Sequence, residues 1–101
     1  MVLIQILLPS ADNAGVLFPK EDFESLKLEL ASAFGGVTAY IQAPADGIWK
    51  AGGEEAHDEI VIFEIMAEVL DAAGWTARRA ELERRFRQER VIIRHMAVGI
   101  I

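Results

Sequence analysis

Five side chains stand where chemistry can be done: Gln5, Tyr40, Trp49, Glu64 and Arg94. Glu64 is the one carboxylate inside the apolar run IVIFEIM (60–66). Apolar surroundings raise a carboxyl's proton affinity, which is the condition for acid–base work. Arg94 interrupts a second apolar run, RVIIRHMAVGII, and is suited to neutralise that charge across a sheet. The pair then either fixes register or, with Tyr40 and Gln5 orienting a ligand, handles a proton. Trp49 lies in APADGIWKAGG, a stretch of small residues and turn formers. Its ring serves as structural cover, as a subunit contact or as a lid over a ligand. All five are ligand-binding candidates, and no catalytic residue is assigned.

Other motifs carry less. His57 stands among Glu54, Glu55, Asp58 and Glu59, but the spacing matches no metal-ligand pattern, and a solvated acidic loop is expected there. His95 has no Ser or Cys suggesting a triad. The chain has no cysteine, which excludes disulfides, thiolate catalysis and Cys-based zinc sites. The glycines fit neither a dinucleotide fingerprint nor a phosphate loop. No metal and no cofactor is expected. RRAELERRFRQER is basic, but its glutamates mark a salt-bridged helix face, with Glu81/Arg85 and Glu83/Arg87 as i,i+4 pairs. Net charge is −6, against nucleic-acid binding. Three Lys face thirteen Asp and Glu up to residue 77, and seven Arg face three Glu after it. That asymmetry suits charge matching within the chain or between subunits.

The elements that position these residues follow from hydrophobic period. VLIQILL (2–8) is a buried strand. Pro19 opens a helix in which Phe23, Leu26, Leu30 and Phe34 form one stripe, stopped by Gly35-Gly36. VTAYIQA (37–43) alternates as a half-buried strand. A loop follows, in which residues 48–50 can pair back as a short hairpin extension. A third strand runs over 60–66, a second helix over 69–88 with Trp75, Leu82 and Phe86 inward, and a last strand through RVIIRHMAVGII. The order βαββαβ predicts an α+β ferredoxin-like sandwich spanning 1–101 as one domain. Its four-stranded antiparallel sheet has strand order 4-1-3-2, with both helices on one face.

The uncovered face is then predicted to carry Leu3, Gln5 and Leu7; Thr38, Tyr40 and Gln42; Ile60, Ile62, Glu64 and Met66; and Ile92, Arg94 and Met96. Arg94, Gln5, Glu64 and Tyr40 become a polar row across an apolar face, with His95 on the inner side. Hydrophobic residues make up 52% of the chain, more than one small core readily hides. A homodimer through this face, or a ligand cavity on it, is expected. The apolar N-terminus lacks a basic leader region and is too short to span a bilayer, so a cytoplasmic protein without a membrane partner is expected.

FGGVTAY, the spaced Gly47 and Trp49, DEIVIFEIM and LERRFRQERVIIR resemble an uncharacterised family of small bacterial proteins, over residues 34–94 and Phe18-Pro19. The resemblance implies a ferredoxin-like fold and a bacterial origin, and carries over no catalytic residue. Acylphosphatases share the fold but need an arginine in the loop after the first strand, absent from PSADNAGVLF. Two functions stay open. One is a homodimeric module binding a small molecule or a protein on the open sheet face. The other is a dimeric α/β-barrel-type enzyme, a monooxygenase or heme binder, with a cavity near Tyr40, Trp49, Glu64 and perhaps His95.

Overall fold

The computed structural model describes residues 1–41, 45–51 and 54–101, with 45–47, 49–51 and 54–58 described by backbone pairing. The order is β1 (Val2–Pro9), α1 (Lys20–Phe34), β2 (Thr38–Ala39), β3 (Ala45–Ala51), β4 (Glu54–Ala67), α2 (Ala72–Arg85) and β5 (Ile92–Ala97). The strands form one antiparallel sheet in the order β2-β4-β1-β5, with β3 also paired to β4. This is the ferredoxin-like arrangement, and the two most apolar strands, β1 and β4, are its central pair.

Burial follows strand alternation. Ile4, Ile6 and Leu8 of β1 and Val61, Phe63 and Ile65 of β4 are buried, while their alternate neighbours are half-buried or exposed. The helices cover the inward set with Phe23, Leu26 and Leu30 from α1 and Trp75 and Leu82 from α2. Phe34 stacks on Trp75, with ring centroids 5.0 Å apart. Helix α1 ends in Gly35 at φ 80°, a left-handed backbone that glycine adopts without a Cβ penalty. Helix α2 is shorter than its apolar period suggests. Asp71 caps it by accepting from the Gly74 N–H at 3.0 Å, so it starts at Ala72. Among the described residues no helix is long and apolar enough to cross a membrane.

Two expectations fail between residues 37 and 60. Among the described residues, the strand expected at 37–43 spans only Thr38–Ala39 in its ladder with β4, extended by the Tyr40 N–H donating to the Ile62 carbonyl at 2.9 Å; Gln42 and Ala43 lie outside the described residues. The acidic stretch 54–59 is no loop but the first half of a fourteen-residue β4. It pairs with β3, Ala51 opposite Glu54 and Trp49 opposite Ala56. The ladder satisfies backbone groups regardless of side-chain polarity, so a poorly strand-forming acidic stretch is held extended. Residues 48–50 do pair back, opposite His57, Ala56 and Glu55. β2 and β3 thus follow one another along the side of β4 that β1 leaves free.

Of the two predicted helix-face ion pairs, Glu81–Arg85 forms and is shared with α1, while Glu83 and Arg87 take other partners. Arg85 reaches Glu29 of α1 at 2.6 Å and lies 3.9 Å from Glu81. Glu83 accepts from the Val91 N–H at 2.9 Å, and Arg87 turns to Asp12 at 3.3 Å.

Candidate functional site

The pairing register assembles the polar row. Gln5 of β1 lies opposite Glu64 of β4 and opposite Arg94 of β5, and Thr38 of β2 lies opposite Glu64. Residues paired across antiparallel strands share a face. The side chains then connect. Arg94 Nε donates to Gln5 Oε1 at 2.7 Å, and Gln5 Nε2 donates to Glu64 Oε2 at 3.1 Å. The Tyr40 hydroxyl donates to Glu64 Oε1 at 2.5 Å. Arg94 and Glu64 do not touch directly. They sit two strands apart, about 10 Å at the usual strand spacing, and Gln5 relays between them.

Among the described residues, each carboxylate oxygen of Glu64 therefore holds one protein donor and keeps a lone pair. The hydrogen bond to Glu64, followed by that residue's negative charge, raises the Tyr40 pKa above its ordinary 10.0. The phenol is a held proton donor rather than an acid at neutral pH.

Glu64 opens on a groove of about 830 Å³. Leu3 and Met66 lie at its floor with the carboxylate. The end of α1 with Phe34 and Val37 makes one wall, and Val98 to Ile101 the other. The tail is anchored by the Val98 N–H donating to the Met1 carbonyl at 3.0 Å. The groove wall formed by 98–101 went unnoticed in the sequence. Its apolar residues read as strand, and the strand stops at Ala97.

Four of the five candidates, Gln5, Tyr40, Glu64 and Arg94, come together. Trp49 is placed on β3, and its ring lies outside the described residues, as does the side chain of His57. His95 pairs with Ile4 on the inner face and lines a separate cavity of about 160 Å³ with Trp75 and Arg79. It does not join Tyr40 and Glu64, because strand alternation puts it on the other side of the sheet.

No family model matches the chain, and no curated protein matches it. Solved structures do. A phage SAM lyase in complex with S-methyl-5′-thioadenosine is similar at TM-score 0.64 and 20% identity, over 98% of this chain and 82% of that one. The divalent cation tolerance protein CutA1 from Thermus thermophilus is similar at TM-score 0.66 and 11% identity, over 99% and 86%. CutA1 from Pyrococcus horikoshii gives 0.63 and 12%, over 100% and 86%. What these likenesses establish is the ferredoxin-like fold of a small α+β protein.

Proposed function

We propose that this chain is a small homodimeric binding module that seats a compact organic ligand in the groove of its open sheet face. The observation that carries the reading is Glu64. Its carboxylate is held by Gln5 and Tyr40 at the floor of a groove whose other walls are mainly apolar. Small-molecule sites combine such an apolar lining with a few fixed polar groups, in volumes of about 300–1,000 Å³. The exposed apolar residues of the same face support the homodimer. The similar phage lyase was solved with a compact nucleoside thioether, which makes that compound a suitable probe.

The test is a titration of the ¹⁵N-labelled protein with S-methyl-5′-thioadenosine, followed by amide shifts. Saturable shifts at Thr38, Glu64, Met66 and Val98 are expected, with loss of saturation in Glu64→Ala. Absence of shifts at these positions up to about 1 mM, the weak end of specific binding, for this probe and for a neutral aromatic of similar size overturns the reading.

A further inference from the structure

The open face is nearly symmetric about β1. Gln5 stands between Glu64 on β4 and Arg94 on β5. One step along the strand, Leu3 stands between Met66 and Met96; one step the other way, Leu7 stands between Ile62 and Ile92. Across β1, apolar faces apolar at two levels, and an anion faces a cation at the third. We propose that this face receives a second copy of this chain, stacked about a two-fold axis that runs along β1 above Gln5. The inference rests on the homodimer reading above and adds its geometry.

Rotation about that axis exchanges the positions of β4 and β5 and keeps every residue at its own level. Arg94 of one copy then stands over the partner's Glu64, and the reverse pair forms by symmetry. Met96 stands over the partner's Met66 and Ile92 over the partner's Ile62. Stacked sheets lie about 10 Å apart, a gap that an arginine and a glutamate span together. The row leaves both groups equipped for this. Arg94 engages Gln5 through Nε, so its two terminal nitrogens carry donors for a carboxylate across the gap. Glu64 keeps a lone pair on each oxygen. The residues matched by the axis include the face's exposed apolar set, Met66 at 53%, Ile92 at 51% and Met96 at 45%. A two-fold axis at right angles to the strands, along the polar row, would set Arg94 over Arg94 and Glu64 over Glu64. Like-charge juxtaposition disfavours that alternative. The chosen axis also brings the partner over Leu3 and Met66, so the open side of the groove is closed by the second copy.

The test is charge reversal with complementation, read by light scattering over a dilution series. Glu64→Arg sets arginine over arginine, and Arg94→Glu sets glutamate over glutamate. Each variant alone is expected to dimerise at least about tenfold more weakly than the native chain. Mixed one to one, the two restore both opposite-charge contacts and are expected to form a heterodimer of near-native affinity. Circular dichroism checks that each variant is folded. If one is not, Glu64→Gln and Arg94→Gln are used, each expected to weaken the dimer about tenfold. A native chain that stays monomeric overturns the dimer reading and this geometry together. A native dimer unmoved by all these changes, or reversals that fail to complement, overturns the geometry and leaves the dimer standing.

Discussion

Glu64 organises its neighbours, and the single tyrosine of the chain reports on it. The Tyr40 pKa is raised chiefly by its hydrogen bond to the carboxylate. A raised pKa means that the folded state favours the neutral phenol. The associated stability is present below pH 10.0 and is lost as pH rises through the higher folded value. Ultraviolet titration of the native chain is therefore expected to show a midpoint above 10.0, and Glu64→Gln to return it toward that value. An unmoved midpoint would mean that the contact does not persist in solution. Asp12 gives the acid-side counterpart. Its Oδ1 accepts from the Val16 and Ala14 N–H groups at 3.0 and 2.9 Å, and Arg87 stands at Oδ2. The Val16 hydrogen bond is the leading cause of its lowered pKa. Its contribution is present above the ordinary 3.8 and is lost as pH falls through the lower folded value. Asp12→Asn is expected to flatten the pH dependence of the melting temperature below about 4.

Among the elements, the helices hold the sheet by burial rather than by charge. Leu82 of α2 is fully buried, and Leu82→Ala is expected to cost about 2–5 kcal/mol in denaturant unfolding. Arg85 bridges the two helices to Glu29, but its side chain is 30% exposed and that of Glu29 51%. Arg85→Ala is expected to cost less than about 1 kcal/mol by the same measurement, since exposed ion pairs add little. If the order of these costs were reversed, the description of a core-driven sandwich would fail. Gly35 sits between the two in size. Its φ of 80° and the open space around it predict a cost of about 1 kcal/mol for Gly35→Ala, from backbone alone.

For the whole molecule, the pattern of residues along the chain was enough to say which strands are central, which side chains face the helices and that a polar row crosses the open face. Side-chain alternation has a period of two. Once one carboxylate, Glu64, is excluded from the core, every neighbour on β4 is assigned with it, and the topology carries the assignment to β1 and β5. Packing in three dimensions settled the rest. A period says which face a residue takes but not how far a strand runs, so the pairing of Glu54 to Glu59 with β3 was hidden behind acidic side chains. The Gly52-Gly53 pair was the available signal, since such dipeptides join hairpin strands. Register decided that Gln5 relays between Arg94 and Glu64, because a strand spacing separates each from it. The fold alone set the path of residues 98–101 along the groove, turned Glu83 and Arg87 away from one another and added Glu29 to the partners of Arg85. Those contacts join residues far apart in the chain, and their partners are chosen by packing rather than by local spacing.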